Sequence, residues 1–292
     1  MATLYDHIAH NKRKTVFLVI LYVAIITGLV FFLSRAYGYG PEVVIAATSL
    51  SVAMSLISYY TGDRVALAAS GAKSATLENN PYVVRMIENL AITAGIPTPR
   101  VYVINDPAIN AFATGRDPKH ASIAVTTGAI EKLENEELEG VLAHELSHVK
   151  NYDIRVLTIV VVLVGIITLI ADLTLRGGLF GGRRSNREGG GVFAIIGLAL
   201  IILSPIIAEL IKLAVSRKRE FLADASGVLL TRYPEGLARA LEKIYNENRP
   251  LSRANHATAH LFISNPFSAR KLSALFSTHP PIEERVKRLR SV

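Results

Sequence analysis

The chain contains no cysteine. That excludes a disulfide framework, an iron–sulfur cluster, a thiolate zinc site and a cysteine nucleophile. Charge is scarce as well: 19% of the 292 residues are Asp, Glu, Lys or Arg, while 50% are hydrophobic. Mean hydropathy is +0.34. Such a chain is not disordered, and the excess of apolar residues argues against a fold held wholly in water. No internal repeat is present. Acidic residues are in the minority, with a net charge of +8 and a pI near 9.7. A basic balance suits nucleic acid or an anionic membrane surface. The hydropathy decides for the lipid bilayer and against nucleic acid.

The apolar residues gather in four runs, at residues 15–33, 43–60, 156–171 and 192–208. At 1.5 Å per residue the first spans roughly 28 Å, close to the hydrocarbon thickness. All four are expected to cross the membrane; a buried hairpin of a soluble core is the alternative for the last two. Lys12, Arg13 and Lys14 precede the first run. A basic flank there favours a cytoplasmic N-terminus. The run is longer than the apolar part of a usual signal peptide, and a second follows closely, so an uncleaved helical hairpin is expected. The loop 176–191 is glycine-rich and carries Arg176, Arg183, Arg184 and Arg187. It would lie outside, against the positive-inside tendency, but the opposite flanks hold more Lys and Arg.

Residues 62–153 and 216–292 are polar enough to fold in water. In the first, Asn80, Pro81 and Gly95 mark the cap, first position and end of a helix. Three short strands follow at 101–104, 110–114 and 122–126, then a helix capped near Asn135. The second segment reads as helices at 217–230, 234–246 and 281–290. The expected class is α+β, mostly helical with a small sheet. Its division is 1–61, a transmembrane hairpin; 62–153, half of a catalytic domain; 154–215, a second hairpin; and 216–292, the other half.

Chemistry is concentrated at His144-Glu145-Leu146-Ser147-His148. On a helix, residues four apart share a face, so both imidazoles can ligate one ion. Leu138, Leu142, Leu146 and Val149 make a packed stripe, from which the histidines are expected to project. This is the H-E-x-x-H arrangement of zinc proteases, in which the glutamate acts as general base. A catalytic zinc takes a third protein ligand. A histidine six residues beyond His148 is ruled out, because Ile154 stands there. Glu220 and Asp224, four apart in a helical segment, are the better source. One can ligate while the other orients a ligand histidine through its second ring nitrogen. Sharing an ion puts His148 and Glu220 on one side of the membrane, so both runs between them cross or neither does. Arg217 is placed to pair with Asp224 or Glu220, or to flank the membrane. His256 and His260 lack an intervening glutamate and read as a lid or groove.

Over nearly its whole length the chain resembles the HtpX group of membrane zinc metalloproteases, distant relatives of the CaaX prenyl proteases. The residues that carry the likeness are the paired runs, Asn110-Ala111-Phe112, His144–His148, Ser216–Asp224 and His279-Pro280. The resemblance implies four transmembrane helices and a zincin-like cytoplasmic domain. It implies one zinc per chain, held by His144, His148 and Glu220, with Glu145 as catalytic base. It gives Asn110, Ala111 and Phe112 to an edge strand that pairs with extended substrate, and His279 to the oxyanion. Its substrates would be misfolded or damaged membrane proteins, cleaved from the cytoplasmic side in quality control of a plasma or inner membrane. The rival readings are a membrane scaffold with a structural zinc, and a narrow prenyl-protein protease, which would need more spans.

Overall fold

Apolar runs near the N-terminus become two long helices, α1 (Leu4–Tyr37) and α2 (Pro41–Ala69). They pack as a hairpin, with the Thr27 and Thr48 hydroxyls 2.9 Å apart. Both are long and apolar enough to cross a membrane. α2 buries Ser51, Ser55 and Ser58 and exposes Leu50, Leu56 and Ile57. The Ser51 hydroxyl donates to the Thr48 carbonyl and that of Ser55 to the Ser51 carbonyl, each at 2.8 Å, while the Ser58 hydroxyl has no hydrogen-bond partner among the described residues.

The computed structural model describes residues 4–164, 216–255, 257–267 and 280–291. The Arg-rich loop, the end of the third run, the whole fourth run, His256 and His279 lie outside the described residues. After α2 come β1 (Ala72–Ser74), α3 (Pro81–Ala94), β2 (Arg100–Ile104), β3 (Ala111–Gly115), β4 (Ala121–Thr126) and α4 (Thr127–Lys132). They are followed by α5 (Asn135–Lys150) and by α6, described over residues 153–164. The last helices are α7 (Arg217–Thr231), α8 (Pro234–Glu247) and α9 (Ile282–Leu289). The class is mostly helical with a small mixed sheet.

The sheet runs β1-β2-β4-β3, with β2 and β4 parallel and the other pairs antiparallel. Side chains alternate across it. Val101, Ile123, Val125 and Ala113 face the core built on α3 and α5. Ile104, Ala124 and Phe112 face a second core with Leu18 of α1, Ala66 and Leu67 of α2, and Val156, Val160 and Val161 of α6. The sheet is therefore covered on both faces, and α6 is protein-packed through residue 164. α3 ends where Gly95 turns left-handed at φ +69°. Asn80 holds the N-cap position of that helix, but its side chain makes no cap bond. The cap of α5 lies one residue earlier than expected: the Glu137 carboxylate accepts from the Glu134 amide at 2.8 Å.

Candidate metal centre

α5 does not project its histidines into the open. The stripe Leu138, Leu142, Leu146 and Val149 is buried, but His144 is 0% and His148 only 6% exposed. The opposite side is closed by α6, α7 and α9. A Cβ on Gly227 of α7 would meet the His144 amide nitrogen at 3.1 Å and the Ala143 carbonyl carbon at 3.3 Å. That close approach of two backbones brings Glu220, two turns earlier on α7, to the histidine pair.

The two Nε2 atoms stand 3.2 Å apart. Glu220 Oε2 lies 3.9 Å from His144 Nε2, and Glu220 Oε1 lies 3.6 Å from His148 Nε2. Tetrahedral zinc with bonds near 2.0–2.2 Å holds its ligand atoms about 3.4 Å apart. The triangle therefore fits such an ion. Both Nδ1 atoms face carboxylates: His144 Nδ1 is 2.9 Å from Asp224 Oδ1 and His148 Nδ1 is 3.0 Å from Asp153 Oδ2. A carboxylate at Nδ1 fixes the proton there and turns the Nε2 lone pair inward.

Arg285 of α9 holds Asp224 in a two-pronged grip, Nε to Oδ2 at 2.9 Å and Nη2 to Oδ1 at 2.7 Å. Its side chain is wholly buried, and Nη1 comes within 3.9 Å of Glu220 Oε2. Of the two readings of Arg217, the structure does not pair it with Asp224 and leaves a membrane-flanking position open. Arg217 is exposed at the first residue of α7. The cation that pairs with Asp224 comes from a different helix, on which it lies inside the apolar stripe with Val286 and Leu289. Arg285 and Asp153 are the two residues of the centre that sequence reasoning missed.

Glu145 is buried between the ligands, and neither carboxylate oxygen has a hydrogen-bond partner. Burial, reinforced by the neighbouring Glu220 charge, pushes its carboxyl up to about 7. Burial also lowers His144 to about 4, against the Asp224 hydrogen bond. At His148 burial is outweighed by the Asp153 hydrogen bond and the Glu220 and Asp153 charges, and its pKa rises to about 9. Burial of Asp224 is overcome by Arg285 and then His144, which bring it down to about 2.

β3 lies at the edge of the sheet, but that edge is not open. Phe112 bridges to Phe262, and the Ile263 amide donates to the Ala111 carbonyl at 2.9 Å. Asn110 Nδ2 donates to the Ser264 carbonyl at 3.2 Å. Farther along, Thr158 of α6 accepts from the Gly115 amide at 2.9 Å. A free strand edge is a template for pairing, and the chain covers its own. Arg285 Nη1 also donates to the Ile263 carbonyl at 3.3 Å, tying this covering segment to the metal centre. His260 belongs to the core beside it: it is buried, with Nε2 3.1 Å from the Leu157 carbonyl.

Comparison with known proteins agrees with this geometry. The sequence profile of peptidase family M48 matches residues 77–292. A "Protease HtpX homolog" from Caldanaerobacter subterraneus subsp. tengcongensis is 45% identical, covering 99% of this chain and 98% of that protein. One from Tropheryma whipplei (strain Twist) is 46% identical over the same shares. Among solved structures, the fold is similar to the crystal structure of S. mikatae Ste24p, with a TM-score of 0.51 at 19% identity. That match takes in 93% of this chain but only 62% of Ste24p, so the chain spans less than two thirds of that protein's length. A profile match over most of the sequence, joined to full-length relatives at this identity, establishes that the chain belongs to peptidase family M48 and is a membrane-bound metalloprotease.

Proposed function

We propose that the chain is a zinc-dependent endopeptidase that hydrolyses misfolded or damaged membrane proteins at the cytoplasmic face of the cell membrane. The observation that carries this reading is the ligand triangle of His144, His148 and Glu220, with both outer ring nitrogens anchored by carboxylates. A structural zinc needs a fourth protein ligand; among the described residues three gather.

His144, His148 and Glu220 would hold a zinc ion, which would supply Lewis acidity for the attacking water and the scissile carbonyl. Glu145 takes the proton from the attacking water and returns it to the leaving amine. In the metal-free site burial raises this carboxyl, and a cation beside it would draw it back toward the carboxylate that accepts the proton. Asp224 and Asp153 hold the imidazoles in the ligating tautomer, and Arg285 holds Asp224. The substrate, an extended polypeptide, is assigned to antiparallel pairing along Asn110, Ala111 and Phe112, which requires the segment Phe262–Ser264, buried at Phe262 and Ile263, to withdraw from that edge. Backbone pairing of this kind accepts many sequences, which suits damaged proteins as substrates.

His148 and Glu220 meet at one site, so residues 165–215 leave and return on one side. We assign residues 154–215, with the runs 156–171 and 192–208, to a second membrane hairpin, which makes four spans and divides the protease domain into 62–153 and 216–292. Lys12, Arg13 and Lys14 support a cytoplasmic side for that domain.

The test is metal analysis of the detergent-purified protein, with digestion of an unfolded membrane protein followed alongside. About one zinc per chain and chelator-sensitive cleavage are expected. A full zinc complement without cleavage would instead favour a scaffold.

A further inference from the structure

Between the start of α1 and the first turns of α7 lies a cavity of about 690 Å3 that reaches the metal centre only at Asp153. Lys14 and Asn11 line it from α1, Lys218, Arg219 and Phe221 from α7, and Asp153 from the start of α6. Arg219 is the anomaly. Its Nη1 and Nη2 are both shielded from solvent and have no hydrogen-bond acceptor. The nearest carboxylate oxygen, Asp153 Oδ1, is 3.7 Å away and already accepts from Asn11 Nδ2 at 2.8 Å. The other oxygen of Asp153 faces His148. A guanidinium buried without acceptors is costly, and such a group calls for an anion.

The rest of the cavity is suited to one. Lys14 and Lys218 bring two more cations to its wall. Ser216, the N-cap residue of α7, makes no side-chain cap bond; its carbonyl accepts from the Arg219 and Glu220 amides, which leaves the Arg217 and Lys218 amides at the head of the helix. Asp6, the other carboxylate on the wall, has a partner of its own.

Position identifies the anion's source. Lys14 lies in the first turns of the span Ile8–Phe32, at the depth where lipid headgroups sit. Phe17, about one turn further, and Ile20 beyond it are 56% and 62% exposed, as a lipid-facing surface would be. A basic pocket beside a transmembrane helix recognises phosphate headgroups. We propose that this cavity seats the phosphate of an anionic membrane phospholipid, gripped by Arg219, Lys14 and Lys218. Its occupant would compete with Asp153 for Arg219, and Asp153 is the group that orients His148. Membrane composition is thereby linked to the protease site.

The full-length protein is reconstituted in nanodiscs of phosphatidylcholine and phosphatidylglycerol, then released gently for native mass spectrometry. Wild type is expected to retain one phosphatidylglycerol over phosphatidylcholine by about tenfold or more. Lys14→Gln/Lys218→Gln, at less buried positions, should bring that preference to within about twofold, and Arg219→Gln should abolish it. The double variant keeps the test open if Arg219→Gln fails to fold. Equal retention of the two lipids by wild type, or a double variant with undiminished preference, overturns the proposal. So does displacement of phosphatidylglycerol by millimolar inorganic phosphate, which would make free phosphate the ligand. None of these readouts depends on proteolysis, so the peptidase reading can fail separately.

Discussion

α2 and α5 break the usual rule of burial in opposite ways. α2 turns Leu50, Leu56 and Ile57 outward and its serines inward. α5 buries two histidines and two glutamates, Glu137 and Glu145, beside its leucine stripe. For α2 the proposed explanation lies outside the protein: in a membrane the surrounding medium would itself be apolar and exposed leucines would cost nothing. For α5 it lies inside: each histidine is held by a carboxylate, Asp224 by an arginine, and the remaining lone pairs converge on a point fit for a cation. A polarity rule fails at a membrane because the solvent differs, and at a metal centre because the partners do.

The sharpest test of that contrast is at the unpartnered group. Glu145→Gln keeps the shape and removes the base, so turnover should fall about 10²- to 10⁴-fold while zinc content stays at wild type. Unchanged proteolysis would remove Glu145 from the chemistry. Next in size is the outward face of α2. Leu56→Arg there should cost about 2.5–3.5 kcal/mol of membrane insertion, read as loss of protein from the membrane fraction. A helix that faces water would tolerate it with unchanged yield.

Smaller effects probe the shell around the histidines. Asp224→Asn should weaken metal binding about 10- to 100-fold, measured by competition with a chromophoric chelator. Undiminished affinity would mean that Asp224 does not orient His144. The last test is pH. In the metal-free protein His148 has its pKa raised to about 9, above the ordinary 6.5, so it carries a proton at neutral pH. Ligation requires the neutral ring, and binding must expel that proton. Affinity should therefore rise with pH, by about tenfold per unit between pH 7 and 8, and calorimetry in buffers of different ionisation heat should detect the release. The same shift stabilises the metal-free fold fully below pH 6.5, and that contribution is lost as pH rises through about 9. Binding without proton release would contradict the Asp153–His148 contact.

Local signals carried much of the architecture. Pro81 and Gly95 bound α3 as capping chemistry requires, and α7, α8 and α9 fall within a residue or so of their periodic patterns. β1 was not legible, because three residues are too few to show alternation, and only pairing with β2 makes Ala72–Ser74 a strand. At the metal centre, the HExxH spacing brings the two histidines together on the strength of helix geometry alone. The approach of Glu220 depends on how α7 packs, which spacing along the chain does not encode. Asp153 reaches His148 because Tyr152 takes a left-handed turn at φ +60°, and nothing in a tyrosine announces that. Arg285 did leave a trace. It stands three residues after Ile282 and four before Leu289, on the apolar side of an amphipathic helix, where a buried ion pair is the ordinary reason for a charge. The covering of β3 by Phe262–Ser264 joins segments some 150 residues apart, beyond the reach of any local pattern.

Gly227 carries no ligand atom, yet the gap between the two ligand-bearing helices is set where it rests on the amide of His144. A methyl group added there would wedge the helices apart by a few tenths of an ångström, and the three coordinating atoms would spread with them. The spacing of the coordinating atoms thus depends on a residue that touches none of them.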